Sequence, residues 1–195
     1  TLPTDLWVPS TDRIKPMSSQ QIAVGFARNI LQNKVEASIE GYYKKMESVI
    51  EYLEGSSYIN SNVDAWDTKV EAGNADAWGV ELLLQKKTGR TTGWIGYTLS
   101  WSDRQFPTIN FGRKFFYKYD RRHDVELVVT HKLGKKWEAS ASWQFQTGSP
   151  FTLPVAQYES IDGKSPRGAS VTFGQINYYE GRNTFRLLNY HRLDA

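Results

Sequence analysis

The chain has 195 residues, 24 basic and 21 acidic, for a formal charge of +3, and it contains no cysteine. A charge this small and this dispersed argues against a nucleic-acid surface. No apolar run approaches the roughly 20 residues of a membrane helix, so a helical membrane protein is excluded as well. Aromatic residues make up 14% of the chain, including 7 Trp and 11 Tyr, a content that interface belts or sugar stacking would explain. The lack of Cys fits an oxidising compartment such as a bacterial envelope.

Residues 1–17 contain Pro3, Pro9 and Pro16 and read as an extended connection, with no basic-then-apolar signal segment. From Gln20 to Arg28, Ile22, Val24 and Phe26 alternate with Gln21, Ala23, Gly25 and Ala27. A short link, Asn29 to Asn33, leads to a second strand with Val35, Ala37, Ile39, Gly41 and Tyr43 on one face. Met46 to Ala75 reads as a long loop. Alternation resumes at Trp78, Val80, Leu82 and Leu84, turns at Lys86 to Arg90, and returns through Ile95, Tyr97, Leu99 and Trp101. A second long connection spans Asp103 to Lys118. The clearest hairpin follows: Val125, Leu127 and Val129, a turn at Lys132 to Lys136, then Trp137, Ala139, Ala141, Trp143 and Phe145. A third long connection, Gly148 to Arg182, precedes a strand near Asn183–Ala195.

Short and long connections alternate without exception, and none of the residues placed on the six apolar faces is charged. Tight turns on one side, long loops on the other and an uncharged outer face are the pattern of a transmembrane barrel. The mean hydropathy of −0.55 is compatible with this, because such strands are only half apolar. The expected fold is therefore all-β, an antiparallel up-and-down transmembrane β-barrel, with residues 1–195 supplying about seven strands of a larger wall. Tyr43, Trp78, Trp101, Trp137, Trp143 and Phe145 are expected to form a lipid-facing aromatic belt.

The motifs LWVPSTDRIKP, IEGYYKKM, GVELLLQKKTGRTTGWIGYTLSWSDRQF, INFGRKFFYKYDRRHD and YHRLD, in that order, resemble the TonB-dependent receptors of Bacteroidetes. The resemblance covers nearly the whole chain and lies in the C-terminal half of the family's barrel. It implies a barrel of about 22 strands in the outer membrane of a Gram-negative cell, closed by a plug domain. It also implies active uptake of a nutrient (glycan, peptide, siderophore or similar). The implied partners are outer-membrane lipid, the protein's own plug, the TonB energy-coupling complex and the nutrient itself, with a surface substrate-binding lipoprotein as an optional one. Plug, TonB-contacting box and remaining strands are absent from these residues.

No serine nucleophile elbow, phosphate-binding glycine loop or zinc spacing is present, so no catalytic residue, metal or cofactor is expected. Asp120, Arg121, Arg122, His123 and Asp124 are expected to form an ion-paired brace at the barrel rim, with His191, Arg192 and Asp194 as a second. Coordination of an anion or a sugar is the alternative use of the first group. Inward Glu36, Glu40, Glu81, Asp124, Glu126 and Glu138 would line a lumen or contact a plug. Ligand contacts are expected from the loop aromatics Tyr58, Trp66, Phe106, Phe116, Phe151, Tyr158, Tyr178 and Tyr179. Two readings compete: a soluble β-sandwich that binds carbohydrate through exposed aromatics, and a structural or adhesive barrel without transport.

Overall fold

The computed structural model describes residues 9–53, 66–162 and 172–195. Within them the chain is all-β and antiparallel, with only two single-turn 3-10 segments, Trp66–Thr68 and Ile109–Gly112. The strands are β1 (Ser18–Ile30), β2 (Val35–Tyr52), β3 (Val70–Lys86), β4 (Thr91–Gln105), β5 (Phe115–Phe116), β6 (His123–Lys132) and β7 (Glu138–Gln146). They continue as β8 (Pro150–Phe151), β9 (Ala156–Asp162), β10 (Thr172–Tyr178), β11 (Phe185–Arg186) and β12 (Tyr190–Asp194).

The main sheet is a meander in the order β1-β2-β3-β4-β6-β7-β12, open at both edges, and β5 pairs with the far end of β4. Residues 31–34, 87–90 and 133–137 make the tight connections, all at one edge of the strands; residues 53–69, 106–122 and 147–189 make the long ones at the other.

Register turns the sequence alternation into two chemically different faces. Phe26, Ile39, Leu82, Tyr97, Val125 and Phe145 are successive cross-strand partners, and this single row runs through six strands to His191 on β12. The neighbouring row of the opposite face reads Gly25, Glu40, Glu81, Thr98, Asp124, Gln146 and Tyr190. Nothing among the described residues covers the apolar face: Phe26 is 64% exposed and Leu82 41%. On β3 the apolar stretch Trp78–Leu84 is bounded on the same face by Asp76 and Lys86, about 33 Å apart along the strand at ~3.3 Å per residue.

The register also places Arg28 on this face, opposite Ala37, near the tight-turn end of the edge strand.

The structure corrects the expected loop boundaries. The first long connection contracts from Met46–Ala75 to residues 53–69, because both strands run on past the apolar band and stay paired out to Tyr52 and Val70. Likewise β4 reaches Gln105. The third connection contains the β9–β10 ladder and the short β8–β11 ladder, and the last strand is only Tyr190–Asp194. These extensions mix Glu, Ser, Asn, Asp, Arg and Gln with isolated apolar residues and carry no sustained apolar alternation. Tertiary pairing overrides their weak local preference.

The buried core lies at the long-loop end, on the polar side of the sheet. Val49, Ala75, Phe106, Ile109 and Phe115 form it, with Met46 and Leu53 packed against it.

Candidate functional site at the long-loop end

The loop over residues 106–122 folds back onto the sheet because packing under Phe106 and hydrogen bonds through Glu71 and Asn110 hold it. Phe106, 1% exposed, lies over Gly73, where a Cβ would meet both the Gln105 carbonyl oxygen and the Phe106 ring. The Glu71 carboxylate accepts hydrogen bonds from Thr108 N–H, the Thr108 hydroxyl and Ile109 N–H, at 3.1–3.2 Å. Asn110 and Phe111 then adopt left-handed backbone angles (φ 54 and 57), a conformation that costs a non-glycine residue on the order of 1 kcal/mol. The Asn110 side chain stabilises the turn: its Nδ2 donates to the Arg113 carbonyl (3.2 Å) and its Oδ1 accepts from Arg182 N–H (2.9 Å). Asn110 is buried as a result, while Phe111 projects outward at 80% exposure.

Two arginines of the third long connection tie it to this platform. Arg182 pairs with Glu51 (2.9 Å), which also holds Arg104 (3.2 Å). The Arg104 guanidinium lies 3.6 Å from the centre of the Tyr117 ring. Arg186 pairs with Asp120 and donates from Nη1 to the Asp120 and Gly148 carbonyls (both 3.2 Å). Asp120 is 1% exposed; it accepts from Ser102 N–H at 2.7 Å and also pairs with Arg122 at 3.4 Å. The Arg122 guanidinium lies over Trp101 (4.5 Å), and both Arg122 and Arg186 approach Phe116 (5.6 and 5.0 Å).

Of the residues expected to brace the rim, the structure therefore brings Asp120 and Arg122 together. It adds Arg186, Arg182 and Glu51, which strand alternation gave no reason to single out. Among the described residues Arg121 contributes its carbonyl, accepting from the Ser100 hydroxyl (2.9 Å). His123 and Asp124 diverge to opposite faces: His123 meets the Tyr97 hydroxyl (2.9 Å), and Asp124 accepts from Gln146 Nε2 (2.8 Å). His191 lies on the apolar face opposite Phe145, and Arg192 pairs with Asp194 two residues away on its own strand (2.8 Å).

The aromatic candidates separate in the same way. Phe106 is a correction: buried beneath the loop, it anchors the core and cannot reach a ligand. Trp66 is half-buried in a 3-10 turn, Phe151 lies 6.5 Å from Phe185, and Phe116 is held between the two arginines. Tyr58 lies outside the described residues. Tyr178 and Tyr179 line a cavity of about 590 Å³ together with Phe111, Tyr52 and Arg182, and Tyr158 meets Tyr178 edge-to-face at 6.3 Å. Phe111 was legible only through its Asn-Phe-Gly setting, which signals a turn but not an exposed ring.

The residues expected in an aromatic belt all lie on or at the margin of the apolar face. Tyr43, Trp78 and Trp101 form one register row, with the two indoles stacked at 6.0 Å. Trp143 and Phe145 are 6.2 Å apart near the end of β7, and Trp137 stands 76% exposed beside a tight turn. Beyond the row, Asp76 binds the Tyr43 hydroxyl (2.7 Å) and Lys114 (3.0 Å). The contact with Asp76 raises the Lys114 ammonium above its ordinary range. Among the described residues no group of His, Asp and Glu side chains has the geometry of a metal site.

Comparison with protein families, with curated proteins and with solved structures finds no match for this chain.

Proposed function

We propose that this chain is part of the wall of an outer-membrane β-barrel, a TonB-dependent receptor that takes up a nutrient. The observation that carries the reading is the uncovered apolar face, continuous in register across the meander. It is bounded at the long-loop end by the Tyr43–Trp78–Trp101 row and the charged Lys45–Asp76–Asp103 row beyond it, and on β3 by Lys86 at the other end. Hydrocarbon asks for such a face, about 25 Å tall and flanked by aromatic girdles. The band between Asp76 and Lys86, about 33 Å along the strand, would span about 23 Å at a 45° tilt. A soluble sandwich would need a second sheet over Leu82, Leu84 and Ile95, all of which are exposed.

In this reading the wall is passive. The polar face, with Glu40 directly opposite Glu81, lines a wet lumen occupied by the plug. The long-loop platform holds the cavity lined by Phe111, Tyr178 and Tyr179 where ligand is first captured. Energy coupling acts on the plug, so these residues bind and support and perform no covalent chemistry. The sequence resemblance and the edge-specific loop lengths support the same reading.

The test is cell fractionation followed by intact mass. Recovery from the outer-membrane fraction, at a mass several times the 22.4 kDa of this chain, is the expected result. A protein of that same mass in a soluble fraction would sink the barrel reading.

A further inference from the structure

Charge is distributed unevenly between the two edges of the sheet. The first tight turn is flanked by Arg28 and Lys34, the second by Lys86, Lys87 and Arg90, and the third by Lys132, Lys135 and Lys136. Across residues 28–36, 85–91 and 131–138 only Glu36 and Glu138 oppose them, a net +6 in a chain whose total is +3. The remaining residues therefore sum to −3. Strand order brings the three turns side by side, and contacts join them: Lys87 pairs with Glu36 (2.7 Å), Lys132 N–H donates to the Arg90 carbonyl (2.9 Å), the Arg90 guanidinium donates to the Lys132 carbonyl (3.4 Å), and the Thr91 hydroxyl meets His131 Nδ1 (2.8 Å). Among the described residues Lys87 is the only one of these cations with a carboxylate partner.

Apolar side chains stand between the charges. Leu31, Leu133 and Trp137 are 69%, 62% and 76% exposed, unusually open for their size. Arg28 and Lys86 project from the apolar face itself, within two residues of the strand ends. Long basic side chains there can lay their stems along apolar surface and carry the charge outward. An aqueous rim or an acidic protein partner gives no reason to expose three large apolar residues among cations of which, among the described residues, only Lys87 has a carboxylate partner. A bilayer interface does, since it accommodates tryptophan and leucine at headgroup depth and attracts lysine and arginine to phosphate.

We propose that the tight-turn edge is a docking surface for anionic phospholipid headgroups in the leaflet it faces, and that these lipids fix the depth of the sheet. The inference rests on the barrel reading above.

The test uses the full receptor extracted from outer membranes. Phosphatidylglycerol or phosphatidylcholine is added in mixed micelles, and retained lipid is counted by native mass spectrometry. Phosphatidylglycerol should be retained preferentially. The variant Arg90→Gln/Lys135→Gln/Lys136→Gln should lose about fivefold in affinity per cation, on the order of a hundredfold in total. Equal retention of the two lipids, or an unchanged triple variant, would overturn the proposal. So would displacement by inorganic phosphate at matching concentration, which would mark a site for free anions. Competition by an acidic peptide that leaves the lipid preference at zero would assign the edge to a protein and equally refute it. Should the triple variant fail to fold, salt decides on the unaltered protein. Between 0.1 M and 1 M the screening length falls from about 10 to about 3 Å, and retention that does not fall with it refutes the idea. A receptor absent from the membrane fraction fails the barrel reading, whereas one inserted there without lipid preference fails this inference alone.

Discussion

Replacing Asp120 by Asn should release the third long connection from the sheet without loosening the sheet. Asn keeps the shape and retains one carbonyl oxygen for Ser102 N–H, which Asp120 Oδ1 accepts at 2.7 Å. It loses the oxygen that pairs with Arg186 and Arg122, and turns an amide toward two guanidinium groups. A hydrogen bond to a charged group contributes about 1.5–3 kcal/mol. The arginine side chains are 32% and 24% exposed and can recover part of this from water, so about 2–3 kcal/mol is the expected cost. At 1.4 kcal/mol per factor of ten, local opening becomes roughly 30- to 150-fold more frequent. Hydrogen exchange of the Ser102, Tyr117 and Leu187 amides, each held at the joint, reads this directly. Amides in the middle of β2 and β3 should be unaffected. The double variant Asp120→Asn/Arg186→Gln should cost little more than either change alone, since both break one interaction. Additive effects, or unchanged exchange at Leu187, would refute the view that this pair holds the loop.

Leu82→Arg on the apolar face should cost about 2–4 kcal/mol in vesicle folding titrations, whereas Leu83→Arg on the opposite face of the same strand should be nearly silent. Phe106→Ala should cost about 3–5 kcal/mol of local stability and raise exchange across residues 106–122, with cavity formation beside Gly73 as the cause. Phe111→Gly relieves the left-handed backbone and should stabilise the loop by about 1 kcal/mol, yet reduce ligand uptake if the ring is a contact. Uptake equal to that of the parent protein would remove Phe111 from the site. Deleting Ser48 removes the bulge but leaves Glu47 opposite Asn74 and Val49 opposite Gly73, so the Arg104–Glu51–Arg182 pairing should survive and proteolysis at Arg182 and Arg186 should not increase.

Alternation made the apolar face legible because burial on one side alone imposes a period of two, and every residue from Ile22 to Phe145 assigned to that face lies on it or at its margin. The ends of β2 and β3 were illegible for the complementary reason. Past Tyr43 and Trp78 the outward face carries Lys45, Glu47, Asn74 and Asp76, and the inward face packs against a loop. Polarity no longer separates the two sides, and Met46–Glu51 reads as connection. The site was legible in part. Asp120 and Arg122 lie in a visibly charged cluster, but Glu51, Arg182 and Arg186 are separated from their partners by 53 to 131 residues, and nothing local announces such pairs. Phe106 misleads for the same reason: an aromatic in a polar segment looks exposed until Gly73 provides the space beneath it.

Ser48 links the two regimes. Up to Glu47, odd-numbered residues of β2 face outward with Tyr43. At Ser48 (φ 58) the register shifts, and Val49 pairs with Gly73 instead of continuing that series. One extra residue in a bulge reverses which side chains face inward. Val49 thus enters the core with Ala75 and Phe106, and Glu51 points toward Arg104 and Arg182. Without the shift both would project from the outward face, leaving Phe106 without its neighbour and Arg182 without its carboxylate. The same strand can therefore present an uninterrupted apolar stripe over one part of its length and supply the floor of the loop platform over the next. A strand in strict alternation from Val35 to Tyr52 could do only the first.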